Sequence, residues 1–398
     1  MSSFEFNPGA PVASSYAARV DRRRRLLLAS PLLLAGCIWD NEGGGDTLHA
    51  RYRVAANDVL TRFHAPGAVA GVWIPGAAPW KAPFGVANVA AGRRMTIEDH
   101  FSIRSITKSF TVTAIFQLER DGALSLDDAI GKYVPGVPNG TTITLTQLAA
   151  MESGVKNYTD VIAFLEVFAQ DFAKPWTSAE IVSYAIPESP VFDPAAHYNY
   201  SNTNTLLLAM VVEAVTKAPL GDFLRTRIFG PLGLSDTTYP TTVPLPDPHP
   251  LPYLADEKTG DLILVDLVNP TALGGAGAMV STLDDLAVWA EALGTGRLLT
   301  VTQQMFRLSH SRPATDGPKY DRYGVGIGEL DGWWGHTGSA LGFQAAAFYD
   351  PPSGAVIAVA VNASPLDSTP RAPDDEDPHE PNIAEEIFRA LAAVVASR

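Results

Sequence analysis

The sequence predicts an α/β (α+β) fold, in which one antiparallel sheet is flanked by terminal helices and carries a large inserted all-α domain. Strand patterns cluster near the two ends of the 398-residue chain, and helical patterns fill the region between them. An amphipathic helical pattern also stands at each end, over 48–65 and 383–396. Strands from both ends can share one sheet when the middle of the chain folds as an insertion.

The predicted strands are bounded by glycine and proline turns. Two lie near the amino end, over 69–74 and 81–89, and four lie near the carboxyl end, over 323–328, 333–339, 343–349 and 356–362. The segment 329–332 is the predicted turn of a hairpin between the first two of these four. The bounds divide the chain into a sheet domain, 48–104 with 300–398, and a helical domain, 105–299. The cleft between two such parts is a common place for a ligand.

The amino-terminal segment has the pattern of an export signal. Four arginines at 22–25 precede an apolar stretch too short to cross a bilayer as a helix, which predicts a signal peptide over 1–36. The arginine pairs also fit a twin-arginine signal, so the export route stays open. Cys37 is the only cysteine and ends a sequence similar to a bacterial lipobox, and the glycine-containing segment 37–47 is typical of a flexible tether. We expect an exported lipoprotein of the bacterial cell envelope, held to a membrane only through a lipid anchor at Cys37.

The composition excludes some classes of partner. Without residues 1–36, 24 basic and 41 acidic residues remain, and this balance excludes a nucleic-acid-binding protein. The acidic run 374–377 lies among prolines and is typical of a solvated loop. The glycine-rich run 274–277 lacks the Gly-Lys-Ser/Thr ending of a phosphate loop, so it predicts a tight turn beside the cleft between the two parts of the chain. We expect a monomer with no metal and no cofactor.

Ser105 and Lys108 form a Ser-x-x-Lys tetrad, which places the two side chains on neighbouring positions of one helical turn. Lys108 can then reach the Ser105 hydroxyl, and a serine near neutral pH needs such a base to become a nucleophile. The stretch 106–118 is apolar or small nearly all round and is followed by Gly122, which predicts a buried helix. A lysine at the start of a buried helix requires partners, so its pKa is open to being shifted.

A second Ser-x-x-Lys tetrad, at Ser153 and Lys156, shows that this spacing alone is common. Gly154 follows the serine directly, and the preceding stretch is typical of a helix that ends there. The serine and the lysine of this copy therefore need not share a face. We interpret the second tetrad as structural.

Two further segments complete an ordered set. Tyr200 and Asn202 flank one serine in a Tyr-Ser-Asn sequence, and a His-Thr-Gly sequence begins at His336 in a predicted strand. Ser-x-x-Lys, Tyr-Ser-Asn and His-Thr-Gly in this order resemble the signature of the penicillin-recognising serine hydrolases. The chain is most similar to the branch that holds class C β-lactamases, the D-alanyl-D-alanine carboxypeptidase and the family VIII esterases. This resemblance implies a β-lactamase/transpeptidase-like fold.

The resemblance also implies a role for each motif residue. Ser105 would be the acylated nucleophile, and Lys108 with Tyr200 would handle its proton, whether the base is a tyrosinate or a neutral lysine. Asn202 would hold Lys108 and the amide on the acyl side of the substrate. Substrate would lie along a strand edge formed by His336, Thr337, Gly338 and Ser339. The amides of Ser105 and Ser339 would form the oxyanion hole.

Plain structural roles stand as the alternative for three of these residues. Tyr200 would then be a buried tyrosine with a satisfied hydroxyl, and Asn202 would be a helix cap. His336 would be an ordinary strand histidine. The order of the three motifs favours the catalytic interpretation.

The predicted protein is a serine hydrolase that works through an acyl-enzyme on Ser105. D-alanyl-D-alanine carboxypeptidase-like action on peptidoglycan peptides leads, and the alternatives are a carboxylesterase, a weak β-lactamase and a non-enzymatic lipoprotein that binds cell-wall peptides. The carboxypeptidase that the chain resembles has an arginine for the terminal carboxylate of its substrate on the strand before His-Thr-Gly. Here that stretch, 326–332, contains Glu329 and Asp331 and no arginine. Peptides, esters and β-lactams therefore all remain as substrate classes.

Overall fold

A computed structural model of the chain describes residues 47–265, 267–366 and 381–398. The predicted signal peptide, Cys37, all but the last residue of the tether and the acidic run 374–377 lie outside the described residues. Within the described ranges, no helix is both long and apolar enough to cross a membrane.

Strands form near both ends of the chain, and helices fill most of the middle. The amino-terminal part contains α1 (Thr47–Arg62), β1 (Gly67–Trp73), β2 (Trp80–Asn88), β3 (Arg93–Arg94) and β4 (Phe101–Ser102). The middle contains α2 (Thr107–Arg120), α3 (Leu145–Ala149), α4 (Ile162–Phe168), α5 (Ser178–Ala185), α6 (Asn202–Thr216), α7 (Leu220–Leu224), α8 (Gly230–Leu232), β5 (Tyr253–Ala255), β6 (Leu262–Leu264), α9 (Gly274–Gly277), β7 (Val280–Ser281) and α10 (Leu283–Thr295). The carboxyl-terminal part contains α11 (Val301–Ser309), β8 (Arg312–Pro313), β9 (Arg322–Tyr323), β10 (Gly328–Leu330), β11 (Trp333–Ala340), β12 (Phe343–Tyr349), β13 (Val356–Val361), β14 (Ala363–Pro365) and α12 (Ile383–Ala396).

One nine-stranded sheet joins the two ends of the chain. Its strand order is β3-β2-β1-β13-β12-β11-β10-β9-β8, and neighbouring strands pair antiparallel. The central pair joins β1 to β13, with Ala68 opposite Val361. This sheet, with helices at both ends of the chain and between its strands, confirms the predicted fold class.

Both faces of the sheet are covered, because alternate residues of a strand point to opposite sides. Ile357 of β13 lies in a core shared with the terminal helices α1 and α12, which includes Tyr52 and Phe388. The next residue, Ala358, lies in the opposite core, which includes Trp289 of α10. The terminal helices α1 and α12 also pack against each other. Burial on both faces explains why β13 is apolar throughout.

The helix that follows Ser105 runs through the centre of the second core. α2 is buried from Thr107 to Leu118 and contacts α6 and α9. Phe110 stacks on Trp289 with 3.6 Å between ring centroids, and Trp289 donates to the Ser109 hydroxyl at 2.9 Å. Packing therefore overrides the weak helix propensity of the β-branched residues in α2. The predicted buried helix is confirmed.

The stretch predicted as one strand over 323–328 is interrupted by a turn. β9 ends at Tyr323 and β10 begins at Gly328. Between them Gly326 adopts a left-handed φ of +72°, and the Gly324 amide donates to the Ile327 carbonyl at 2.8 Å. The single-strand prediction is wrong because these glycines close a tight turn, and the hairpin instead joins β10 to β11.

The glycine-rich run at 274–277 forms the short helix α9 instead of the predicted tight turn. A Cβ added at Gly275 would lie 2.6 Å from Ala209 Cβ, so glycine lets α9 lie directly against α6. α10, which falls within the predicted helical domain 105–299, packs on β12 and β13 of the sheet. The glycine run α9 therefore contacts both α6 and α2.

Candidate active site

Ser105 lies in a short 3₁₀ turn, Arg104–Ile106, between β4 and α2. Two bonds fix this turn to the neighbouring segment, because the Ile103 amide donates to Met279 O at 3.0 Å and the Met279 amide donates to Thr107 Oγ1 at 3.1 Å. The turn leads directly into α2, so Lys108 returns to the same side as Ser105. Lys108 Nζ lies 2.8 Å from Ser105 Oγ, which brings the predicted base and nucleophile together.

The electrostatic state of Lys108 follows from its burial. The side chain is fully buried, and its two hydrogen bonds go to Ser105 Oγ and to the Ala276 carbonyl of α9, at 2.8 Å each. Burial lowers the pKa of Lys108 well below its ordinary value, because desolvation disfavours the charged form. A neutral amine can donate to Ala276 O while its lone pair accepts the Ser105 proton. Lys108 therefore fits the role of general base.

Tyr200 lies beside this pair, just before α6. Its ring centroid is 5.0 Å from Lys108 Nζ, and its ring packs edge-on against Tyr323 with 6.2 Å between centroids. Burial raises the pKa of Tyr200, and the neighbouring Ser105 hydroxyl offsets this only in part. The Tyr200 hydroxyl is buried and has no hydrogen bond of normal geometry within the described part of the chain. Burial thus favours a neutral phenol at Tyr200, which is a proton donor rather than a base.

Asp316 holds Tyr200 in place. Its Oδ1 accepts from the Tyr200 backbone amide at 2.9 Å, and its Oδ2 accepts from Asn199 Nδ2 at 2.5 Å. The next residue, Gly317, packs closely against the Tyr200 side chain, because a Cβ there would lie 2.5 Å from Tyr200 Cβ and 2.8 Å from Tyr200 Cγ. Sequence reasoning did not identify Asp316, which lies more than a hundred residues after Tyr200 and belongs to none of the three motifs.

Asn202 begins α6 and lines the same cavity as Ser105. Its side chain donates to Thr159 Oγ1 at 3.4 Å, and its backbone amide donates to Asn157 Oδ1 at 3.0 Å. The expected contact between Asn202 and Lys108 is absent from the hydrogen bonds of the described residues, since Lys108 is held by Ala276 O. Asn202 therefore lies in the cavity wall beside Thr159, which lines the same cavity.

His336 is fully buried and lies behind the cavity. Its Nδ1 is 3.0 Å from the Tyr320 hydroxyl, and its Nε2 is 3.1 Å from the Tyr323 hydroxyl. Desolvation lowers the pKa of His336 to about 3, so the ring is neutral at physiological pH. This arrangement makes His336 a support for the tyrosines around Tyr200, and His336 is not among the residues that line the cavity.

Thr337, Gly338 and Ser339 follow on β11. β10 pairs only with Trp333–Gly335, so the later part of β11 is paired with β12 on one side and faces the Ser105 turn on the other. A Cβ added at Gly338 would lie 2.1 Å from Ile103 O and 3.0 Å from Ser105 N. Glycine is therefore required for the close approach of β11 to the nucleophile. Ser339 lies on the same stretch, and its hydroxyl accepts from Gln344 Nε2 at 3.0 Å.

The second tetrad makes no such constellation. Ser153 is buried, and its hydroxyl donates to Asn204 Oδ1 at 2.6 Å and accepts from the Val155 amide at 3.0 Å. No hydrogen bond joins it to Lys156 in the described part of the chain. Ser153 thus ties the end of α3 to α6, in line with the structural interpretation.

The motif residues surround one cavity of about 370 Å³. Its wall contains Ser105, Tyr200, Asn202, Thr337 and Ser339, together with Arg104, Tyr158, Thr159, Leu273, Ala276, Gly277, Gly317, Pro318, Lys319, Ala340, Asn382 and Glu385. Arg104, Lys319 and Glu385 bring charge into the wall and were not identified from the sequence. Among the described residues, no group of three potential metal ligands is present.

Glu385 stands in the first turn of α12. Burial raises the pKa of Glu385 to about 7, against the opposing effect of Arg389, which donates to Oε1 at 3.1 Å. The cap of the helix, Asn382, donates to the Gly338 carbonyl at 3.5 Å. α12 therefore contributes to the wall near the middle of β11, a link between the carboxyl-terminal helix and the site.

Comparisons with known proteins identify the family of the chain. The chain matches the profile of the beta-lactamase family over residues 56–377. It is 28% identical over 223 residues to penicillin-binding protein 4* of Bacillus subtilis, covering 53% of this chain and 48% of that protein. It is 26% identical over 289 residues to a D-aminopeptidase of Brucella canis, covering 71% of this chain and 53% of that protein. The chain thus spans about half the length of these curated relatives.

Two solved structures are similar over most of the chain. The D-amino acid amidase of Ochrobactrum anthropi, in complex with L-phenylalanine amide, is 26% identical with a TM-score of 0.76, covering 89% of this chain and 100% of that one. The D-stereospecific amidohydrolase of a Streptomyces species is 30% identical with a TM-score of 0.72, covering 86% and 98%. With the family profile matching most of the sequence, the chain belongs to the beta-lactamase family, within the serine hydrolase superfamily.

Proposed function

We propose that the protein is an amidohydrolase that cleaves the amide bond of D-amino acid amides and peptides through an acyl-enzyme on Ser105. The observation that carries the proposal is the buried Lys108 amine, which lies 2.8 Å from Ser105 Oγ. Ser105 lines a cavity together with Tyr200. The similarity to the D-amino acid amidase, the D-stereospecific amidohydrolase and the D-aminopeptidases supports amides of D-residues as the substrate class.

In the proposed acylation step, neutral Lys108 takes the proton of the Ser105 hydroxyl while Ser105 Oγ bonds to the acyl carbon. The tetrahedral oxyanion then lies between the amides of Ser105 and Ser339, and each such donor typically contributes about 3 kcal/mol of transition-state stabilisation. As the C–N bond breaks, the Tyr200 hydroxyl gives its proton to the leaving nitrogen and regains one from Lys108. Water reverses these transfers and releases the acid.

The role of Tyr200 as proton donor distinguishes a leaving-group end of the cavity from an acyl end. The leaving group must lie near its proton donor, so the leaving-group end is the one formed by Tyr200, Gly317 and Thr337. Tyr200 contacts Gly317, and Tyr320 of the same loop bonds Thr337 Oγ1 at 2.9 Å. We assign the acyl group to the side of Arg104, whose guanidinium donates to the Leu341 carbonyl, four residues after Thr337 along the chain. Ala340 and Leu273 line the cavity with Arg104, and both Leu273 and Arg104 lie beside Gly277.

D-alanyl-D-alanine carboxypeptidase action is the second candidate. It is favoured by the similarity to penicillin-binding proteins and by Lys319, a cation in the cavity wall that could meet a terminal carboxylate. Glu385 in the same wall opposes it above neutral pH, where the Glu385 carboxyl group is ionised and would repel that terminal carboxylate. Glu329 and Asp331 do not line the cavity, so they do not bear on this choice.

Matched substrates test the proposal. We expect D-alanine p-nitroanilide and D-phenylalaninamide to be hydrolysed well above their L-enantiomers, with D-Ala-D-Ala peptides and nitrophenyl esters as comparison arms. Ser105→Ala should abolish turnover, and Ser153→Ala, a buried serine outside the cavity, should keep it. Mass spectrometry after a β-lactam or an ester should place the adduct on Ser105. Equal rates for both enantiomers, or activity in Ser105→Ala, would contradict the proposal.

We also propose that the enzyme works outside the cytoplasm as a lipoprotein. The arginine-led apolar segment before Cys37 supports this, because it has the form of a signal peptide with a lipobox. Mass spectrometry of the protein from bacterial membranes should find a lipidated Cys37 as the first residue. A soluble product in the Cys37→Ala variant is the expected control, and a wild-type protein that retains residues 1–36 would refute the idea.

A further inference from the structure

Arg104, the residue directly before the nucleophile, is a buried cation in the cavity wall. Its side chain is only 6% exposed, and it lines the acyl end of the cavity together with Ala340 and Leu273. Its backbone has a φ of +49°, a left-handed conformation that costs a non-glycine residue about 1 kcal/mol. A residue held in such a conformation beside a nucleophile calls for a functional explanation.

The hydrogen bonds of the Arg104 guanidinium are weak. One NH2 group donates to the Leu341 carbonyl at 3.4 Å, and the guanidinium carbon lies 5.5 Å from the Phe343 ring centroid. The Nε–H is buried and has no hydrogen-bond partner. No carboxylate of the described residues forms an ion pair with Arg104. A buried charge without a counter-charge is destabilising, so the arrangement is incomplete as it stands.

The acid in the cavity wall does not supply this counter-charge. Glu385 is paired with Arg389, and its helix is capped by Asn382, which contacts the Gly338 carbonyl. Arg104 instead contacts Leu341, beyond the end of β11. Burial lowers the pKa of Arg104 to about 10, which still leaves the guanidinium charged at neutral pH.

We propose that Arg104 binds a carboxylate carried by the acyl group of the substrate, so that the enzyme prefers amides of acidic D-residues or other acyl donors with a carboxylate. A guanidinium presents two parallel N–H groups that match the two oxygens of a carboxylate. The position at the acyl end distinguishes this carboxylate from the terminal one of a leaving group. The inference rests on the proposed acyl-enzyme at Ser105, which fixes the two ends of the cavity.

Isosteric substrates test the preference. We expect the wild-type enzyme to hydrolyse D-glutamic acid α-p-nitroanilide with a kcat/KM about 100-fold above that for D-glutamine p-nitroanilide, because only the first carries the carboxylate. Arg104→Gln should lose about 100-fold more kcat/KM on the acidic substrate than on the neutral one. Arg104→Lys should keep part of the preference, since it keeps the charge. The loss should appear mainly in KM.

Arg307 provides a matched control. It is 1% exposed, its Nε also lacks a partner, and it donates to Thr113 Oγ1 at 2.8 Å away from the cavity. Arg307→Gln should change both substrates equally. If Arg104→Gln fails to fold, the wild-type ratio and the inhibition by D-glutamate against D-glutamine decide the matter.

Two results would overturn the inference. One is a wild-type enzyme without a preference for the acidic substrate, and the other is an equal loss on both substrates in Arg104→Gln. Failure of the proposed function has a different signature, because neither substrate would then be turned over and Ser105 would take no label from an activated ester.

Discussion

Gly338→Ala tests whether the close approach of β11 to the nucleophile sets the catalytic rate. The added Cβ would lie 2.1 Å from Ile103 O, whereas real Cβ atoms stay at least 3.0 Å from such a neighbour. The obstacle is backbone on both sides, so β11 and the Ser105 turn must separate by about 0.9 Å. The same movement carries the Ser105 and Ser339 amides apart, and these are the two proposed oxyanion donors.

A misplacement of about 1 Å typically costs about 100-fold in rate, or about 2.7 kcal/mol of transition-state stabilisation. We therefore expect kcat/KM for the preferred D-amino acid anilide to fall about 100-fold in Gly338→Ala. Overpacking at such a site typically costs about 1–3 kcal/mol of stability. The assay is steady-state hydrolysis below the unfolding temperature, with urea unfolding in parallel, so that lost activity is separated from lost fold.

Gly230→Ala is the control for adding a methyl group. The nearest atom to a Cβ at Gly230 is Arg225 O at 3.4 Å, an ordinary contact, and the φ of −56° is helical. This variant should keep full activity but lose some stability, because a Cβ on the residue before Pro231 disfavours the helical conformation that Gly230 adopts. Activity within twofold of wild type in Gly338→Ala would refute the reasoning, as would an equal loss in both variants.

Three further predictions concern the charged and phenolic groups. Because neutral Lys108 is the base and burial lowers its pKa, kcat/KM should rise with pH through a pKa well below the ordinary lysine value of 10.5. Lys108→Met should be inactive. A midpoint of the pH profile near 10.5 would contradict this prediction. Tyr200→Phe should lose about 10²–10⁴-fold in kcat/KM with an unchanged melting temperature, whereas Tyr198→Phe, which also removes a buried hydroxyl without a hydrogen-bond partner but lies outside the cavity wall, should keep its rate. Burial raises the pKa of Glu385 from 4.5 to about 7, so its contribution to stability is full below pH 4.5 and is lost as the pH rises through 7. In Glu385→Gln, the decrease in the free energy of unfolding between pH 4.5 and 7 should be smaller by up to about 3 kcal/mol, as measured by urea unfolding. An unchanged dependence of this free energy on pH would contradict the prediction.

The sequence could predict contacts that follow from local geometry. Ser105 and Lys108 are one helical turn apart, so their contact needs only the helix that the apolar pattern of 106–118 predicts. The antiparallel sheet could also be predicted, because the strand patterns lie near the two ends of the chain and strands there have few other partners. The turn inside 323–328 was missed, since Gly324 and Gly326 sit in an otherwise apolar stretch and their turn is closed by local backbone bonds.

Contacts between distant segments could not be predicted. His336 belongs to a motif, yet its environment is set by the hydroxyls of Tyr320 and Tyr323. The predicted hairpin placed Tyr323 on the strand next to that of His336, but it gave no position for Tyr320, which lies before that strand. Asp316 reaches back to Tyr200 across more than a hundred residues. Arg104 stands next to Ser105 in the sequence, but nothing in the pattern indicates that its backbone is left-handed or that its charge lies in the cavity wall.

The pairing of β1 with β13 has a consequence for the order in which the molecule folds. Ala68 and Val361 come from opposite ends of the described chain, so the centre of the sheet forms only after a very long loop has closed. The helices between them rely on contacts nearer in sequence and can assemble earlier. β11 reaches the Ser105 turn only as part of that late sheet. In refolding experiments, the recovery of activity should therefore follow the slow formation of the sheet, well after helical signal has returned.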